Sequence, residues 1–169
     1  VQTDRNVAWN SMCIGISSIL DVENVGYHVP MLDYDDTPKK EVCNNIRDIQ
    51  KRFSFGDAHL FKTHGGYHVY FFNDVVPWAT YRDCLKNSSK ICSGFSSQSL
   101  ARGYAVLRVS SKYRTHDIKF KGIVSSSYAS ENSRPIPVRK KIIVEELMGL
   151  FQCAASLAQL FPWWVNPGN

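Results

Sequence analysis

The segment Met31-Leu-Asp-Tyr-Asp-Asp36 constrains the fold more tightly than any other stretch of this 169-residue chain. Leu32 and Tyr34 alternate with Asp33 and Asp35. Side chains two apart on a strand share a face. The pattern therefore predicts a strand with an apolar, buried face and two carboxylates side by side on the other. Carboxylates that close repel and raise each other's pKa unless a cation sits between them. Oxygen ligands of this kind suit Mg²⁺ or Mn²⁺, which keep waters and bind substrate phosphates in the remaining positions. Further on, Thr63-His-Gly-Gly-Tyr-His-Val-Tyr70 reads as a glycine turn opening an apolar strand. A glycine pair lets backbone approach a phosphate closely, and His68 is expected at the mouth of that turn.

Each piece has a plainer reading. An Asp-X-Asp in a turn is commonly a solvated loop or a helix cap, and Gly-Gly before a strand is commonly only a turn. Together, however, they make a hydrophobic-Asp-hydrophobic-Asp strand, a helix-length segment, and a small-residue-Tyr-His turn into an apolar strand. That order resembles the first two motifs of the archaeo-eukaryotic primase superfamily, which contains the primase-polymerases and the polymerase domains of bacterial end-joining ligases. Leu32, Asp33, Tyr34 and Asp35 match the first motif, and Gly66, Tyr67 and His68 the second. The resemblance extends over Tyr27 to Ile123.

It implies an RRM-like split β-α-β palm core with flanking helices. It implies template-dependent joining of nucleoside triphosphates on single-stranded DNA by two-metal phosphoryl transfer, with Mg²⁺ or Mn²⁺ as cofactor. A helicase or a larger replication polypeptide is the further partner it suggests. On this footing Asp33, Asp35 and His68 are the expected catalytic residues, with the Gly65-Gly66 turn and His68 on the incoming triphosphate. The superfamily's third motif, a hydrophobic residue and Asp on a nearby strand, has no clean match. His116-Asp117-Ile118 comes nearest, although no apolar residue precedes the Asp. Asp117 is accordingly the expected third catalytic and metal-binding carboxylate beside Asp33 and Asp35, ahead of Asp74 and Asp83.

Basic residues gather between Leu107 and Lys121. Arg108 and Ser110 alternate with Leu107 and Val109, and the two segments 104–110 and 118–124 read as the strands of one hairpin. Its plain reading is a solvated hairpin end. Its functional reading is a phosphate cradle, because phosphates are held by Arg, Lys, hydroxyls and backbone N–H groups. Arg108, Ser110 and Lys112 are the expected nucleotide ligands, and Arg114, Lys119 and Lys121 the expected contacts to nucleic acid.

A net charge of +5 suits a polyanionic partner, although charge speaks to association and not to fold. The five cysteines form no Cys-X-X-Cys pair, which excludes a zinc ribbon. Cys84 and Cys92 without a nearby His or Cys pair do not make a zinc insert, so reduced thiols in an intracellular protein are expected. No apolar run is long enough to cross a membrane, and no basic-then-apolar leader opens the chain. Beginning at Val1 and ending in Trp163-Trp-Val-Asn-Pro-Gly-Asn169, the chain reads as a piece of something longer.

Elsewhere, Val7 to Leu20 fits a short helix or an irregular strand. Asn24 to Asp35 reads as a strand with an edge or bulge at Pro30. Thr37-Pro38 reads as a helix start, Thr as N-cap and Pro at the first helical position. Val42, Ile46 and Ile49 recur at helical spacing to about Arg52. A hairpin is predicted over 58–62 and 67–73, a helix over 77–85, a polar loop or small insert over 87–99, and a C-terminal helix over 142–161. The whole is a single α+β domain, 1–169. Two other functions fit in part. A replication-initiator endonuclease needs a His-hydrophobic-His strand and a helical tyrosine nucleophile, for which Tyr67-His68-Val69-Tyr70 offers one His and Tyr81 a helical tyrosine. A catalytically inactive nucleic-acid-binding module is the other.

Overall fold

A computed structural model describes residues 15–19, 26–109 and 118–128. In chain order its elements are β1 (Gly15–Ser17), β2 (Tyr27–His28), β3 (Met31–Asp35), α1 (Lys39–Phe53), β4 (Ala58–Lys62), β5 (Gly66–Tyr70), β6 (Val76–Pro77), α2 (Trp78–Asn87), α3 (Ser93–Arg102), β7 (Val106–Arg108) and β8 (Lys119–Val124). The architecture is α+β. Its centre is a four-stranded antiparallel sheet of order β3-β5-β4-β8, accompanied by the strand pairs β1-β7 and β2-β6. The helix expected over 142–161 lies outside the described residues.

The alternation of β3 does what its spacing predicts. Leu32 and Tyr34 are fully buried, Asp33 is partly buried and Asp35 is exposed. Pro30 cannot donate to a ladder, and the long strand expected over 24–35 is interrupted there, leaving β2 and β3 as separate elements. The buried face of β3 is covered by α1, whose Val42, Ile46 and Ile49 are buried at helical spacing. Withdrawing side chains of this size from water contributes roughly 2 kcal/mol each. The Tyr34 hydroxyl donates to Asn45 Oδ1 at 2.8 Å, fixing the helix over the strand.

The helix entry differs from the expected cap. Thr37 turns back, its Oγ1 donating to the Asp35 carbonyl at 2.9 Å, and Pro38 is the residue before the first helical turn. Asp36 takes a left-handed conformation, φ 47°, and its N–H donates to the Gly65 carbonyl at 2.8 Å. The exit of β3 is thus tied to the β4–β5 turn.

Strands β4 and β5 form the predicted hairpin. Because β3 and β4 both pair antiparallel with β5, they run parallel to each other. They are joined by α1 and separated by one strand.

Two expectations are corrected. The polar stretch 87–99 is the end of α2, a short connection and most of α3. Its serines are tolerated because Ser99 is buried and Phe95 and Leu100 pack against the core. The helix stops where Gly103, φ 81°, donates its N–H to the Ser99 carbonyl. Secondly, β7 and β8 are not a hairpin. β7 pairs with β1, whereas β8 pairs with β4 on the far edge of the central sheet. Arg108 and the pair Lys119 and Lys121 therefore stand on different sides of the molecule, with β5 and β4 between β3 and β8.

Among the described residues, no helix is long and apolar enough to cross a membrane.

Candidate functional site

Asp33 and His68 are directly opposed in the β3–β5 register. Residues opposed across an antiparallel pair project to the same face, and His68 Nε2 comes to 3.4 Å from Asp33 Oδ1. Asp35, two residues along, shares that face at the open end of the strand, opposite Gly66. The face is closed further on by rings, with Phe61 edge-on to Tyr70 at 5.5 Å and Tyr70 stacked on Phe72 at 5.2 Å.

Burial sets the electrostatics. Asp33 is pushed up to about 6, first by burial and then by the neighbouring Asp35 carboxylate, against a smaller opposing pull from Arg108. His68 is pushed down to about 4, first by burial and then by the Arg108 guanidinium. At neutral pH the histidine is uncharged and cannot balance Asp33. It is 3% exposed, and its ring has a backbone hydrogen bond with Arg108. His68 lies two residues into β5 and not at the mouth of the turn, so it orients Asp33 and does not offer a cation to solvent.

Arg108, on β7, acts on both Asp33 and His68 through its charge. A fully buried serine fixes that strand. Ser18 donates its N–H to the Ala105 carbonyl at 2.9 Å, and its Oγ accepts from the Ala105 N–H at 3.0 Å. The same Oγ lies 2.9 Å from His28 Nδ1, and the Ser18 carbonyl accepts from the Val29 N–H. One side chain thus joins β1, β2 and the start of β7.

The glycines of the turn separate in role. A Cβ on Gly66 would overlap the Tyr34 carbonyl oxygen, so only glycine permits the two strands to meet there. The Gly66 N–H already donates to Thr63 Oγ1 at 3.0 Å. Gly66 is explained by strand packing and not by an approaching phosphate. Gly65 is exposed, and a Cβ there would meet only Asp35 Oδ1, at 3.9 Å.

A residue not selected from the sequence completes the cluster. The Cys92 N–H donates to the Asp33 carbonyl at 2.7 Å. One ligand atom from each of Asp33, Asp35 and Cys92 lies within 4.8 Å of the others. Burial raises the Cys92 thiol, and a hydrogen bond with Asp35 raises it further. No spacing signal marks Cys92, because it reaches the site through the turn between α2 and α3, a region whose serines read as loop.

Of the expected site residues, Asp33, Asp35 and His68 come together with Arg108 against them, and Gly65 borders Asp35. Lys119 and Lys121 are exposed on β8, away from this cluster. Ser110, Lys112, Arg114 and Asp117 lie outside the described residues. Tyr81, the helical tyrosine of the endonuclease alternative, is fully buried. Its hydroxyl donates to the Met31 carbonyl at 2.6 Å and accepts from the Met31 N–H at 3.2 Å. A hydroxyl so enclosed cannot attack a phosphodiester.

Comparison with models of known families, with curated proteins and with solved structures finds no match to this chain.

Proposed function

We propose that this domain is a metal-dependent nucleotidyltransferase of the primase-polymerase type, extending a strand on a single-stranded DNA template. The observation that carries this reading is the pairing of Asp33 and Asp35 on one sheet face, with Asp33 backed by a buried, neutral His68 and faced by Arg108. A carboxyl raised by burial and by a neighbouring carboxylate, as Asp33 is beside Asp35, is stabilised in its charged form by a divalent cation. When bound, such an ion activates a 3′-hydroxyl and neutralises charge on departing pyrophosphate.

The protein's own groups do the positioning. On this reading Asp33 and Asp35 would hold the cation, His68 would support Asp33 from behind, and Arg108 would meet the triphosphate oxygens. Positioning and charge stabilisation carry most of phosphoryl transfer. The connectivity supports the same reading. Parallel β3 and β4, joined by α1 with β5 between them, form a split β-α-β unit, which is compatible with the proposed palm. The buried Tyr81 removes the main support for the endonuclease alternative.

The test is nucleotide incorporation on a primed single-stranded template with Mg²⁺, Mn²⁺, Co²⁺ or Zn²⁺. Activity that disappears in Asp33→Asn and Asp35→Asn, with thermal stability retained, supports the reading. An unmodified protein that binds single-stranded DNA but incorporates nothing with Mg²⁺, Mn²⁺, Co²⁺ or Zn²⁺ is a binding module, and the enzymatic proposal then fails.

A further inference from the structure

The third protein ligand of the candidate cation site need not be a carboxylate. We propose that Cys92 supplies it as a thiolate, so that the site selects a thiophilic divalent ion of the Zn²⁺ and Co²⁺ class over Mg²⁺. The inference rests on the reading of Asp33 and Asp35 as cation ligands and adds the donor that decides which cation.

Geometry brings the three together. Asp33, Asp35 and Cys92 each place a ligand atom within 4.8 Å of the other two. A tetrahedral ion with bonds of about 2.0–2.3 Å holds its ligands about 3.5 Å apart, so small side-chain rotations close the set. Cys92 is not a stray surface thiol. Its own N–H is bonded to the carbonyl of Asp33 at 2.7 Å, so one ligand's backbone is pinned to the other's. It also stands at the N-cap of the ten-residue helix α3, so a metal-bound thiolate would meet the positive end of the helix dipole, while the free thiol is held protonated by burial and by Asp35.

The surroundings call for a cation independently of this count. The side chain of Asp33 is 21% exposed, and among the described residues its one ion-pair contact is His68 at 3.4 Å. That distance is long for a hydrogen bond. His68 is itself 3% exposed, and among the described residues no Lys or Arg forms an ion pair with Asp33. Ligating carboxylates are commonly held by partners in the outer shell, the place His68 takes behind Asp33.

Donor chemistry then gives the preference. Thiolate favours Zn²⁺ and its neighbours in the first transition row, whereas Mg²⁺ takes oxygen ligands in near-octahedral geometry. Two carboxylates and one thiolate leave the fourth position of a tetrahedral ion open, the arrangement of catalytic sites and not of closed structural ones. Binding releases the thiol proton to solvent as the metal–sulfur bond forms.

Titration of the metal-free full chain with Co²⁺, followed by absorption, tests this. The expected result is visible d–d bands together with a near-ultraviolet thiolate-to-cobalt band, both saturating at one ion per chain. Cys92→Ser should keep the d–d bands, lose the thiolate band and bind on the order of tenfold more weakly. Asp33→Asn with Asp35→Asn should lose both. If d–d bands appear without a thiolate band, or if the band persists in Cys92→Ser, this inference fails while the cation site stands. If Co²⁺ does not bind at all, both fail. Mg²⁺ in hundredfold excess should not displace Co²⁺; displacement would overturn the selectivity.

Discussion

Asp33 and His68, opposed across β3 and β5 with Oδ1 and Nε2 3.4 Å apart, are displaced in opposite directions by the same burial. Asp33 titrates at about 6 in place of 3.8, and His68 at about 4 in place of 6.5. The unfolded chain releases the Asp33 proton first, so that group's contribution is fully present below about 4 and is lost as pH rises to about 6. The unfolded chain also takes up the His68 proton first, so that contribution is fully present above 6.5 and is lost as pH falls to about 4. The two slopes oppose each other over nearly one window. Metal-free protein should therefore show a shallow stability profile between pH 4 and 6.5 in urea melts. Asp33→Asn removes one slope, and stability should then climb with pH by up to about 3 kcal/mol, since a tenfold change in proton affinity is worth about 1.4 kcal/mol. A variant profile as shallow as the parent's would show that these two groups do not govern the window.

Gly66→Ala should be among the most damaging single methyl additions in the described chain. The new carbon meets backbone, the Tyr34 carbonyl, and not the end of a flexible side chain. Overpacking of this kind costs about 1–3 kcal/mol where side chains can yield, and the upper end or beyond is expected here. Gly65→Ala, whose nearest neighbour is Asp35 Oδ1 at 3.9 Å, should unfold within about 0.5 kcal/mol of the parent. Equal denaturation midpoints for the two variants would refute the close-approach account.

Tyr81→Phe leaves the buried Met31 N–H without the hydroxyl that now accepts from it, and removes a second bond to the Met31 carbonyl. Leaving such a buried group unmade costs about 1–3 kcal/mol. Stability should fall by that amount, and metal affinity with it, because Met31 begins the strand that carries Asp33 and Asp35. A loss of stability with metal affinity untouched would detach α2 from the site.

The separation of β7 from β8 predicts separable phenotypes. Arg108→Ala should weaken nucleoside triphosphate binding, by the roughly 1.5–3 kcal/mol of a bond to a charged group. Lys119→Ala with Lys121→Ala should leave nucleotide affinity unchanged. If those lysines carry template backbone, the slope of log affinity for single-stranded DNA against log salt should become shallower by up to about 1.4. Calorimetry and a salt titration separate the two effects, and a nucleotide defect in the lysine variant would contradict their placement on the far edge.

What could be read in advance was periodic. The alternation of Leu32, Asp33, Tyr34 and Asp35 announced the strand and its two faces, and Val42, Ile46 and Ile49 announced α1 with the face it buries. The Gly-Gly turn announced the hairpin. What could not be read was pairing at a distance. Nothing in the spacing of Arg108 and Lys119 says that their strands take different partners, since β1 lies some ninety residues from β7 in sequence. α3 was hidden because serine-rich composition favours loops locally, while tertiary burial of Ser99, Phe95 and Leu100 prevailed. Cys92 was set aside as a metal ligand for want of a Cys or His near it in sequence, since its approach to Asp33 and Asp35 is tertiary, and the distinction between Gly65 and Gly66 depends on how closely β3 and β5 approach.

The outer edge of β3 carries a consequence of its own. On that edge the Met31 N–H and carbonyl are taken by the Tyr81 hydroxyl, and the Asp33 carbonyl by the Cys92 amide. A strand edge left bare is a template on which another chain can be laid. Here that template is already occupied by two different elements of the same polypeptide. No incoming segment can zip onto the sheet beside the carboxylates without first prying away α2 and the turn before α3. The acidic pair is thereby shielded from strand-wise self-association, the commonest hazard of a short and partly exposed edge.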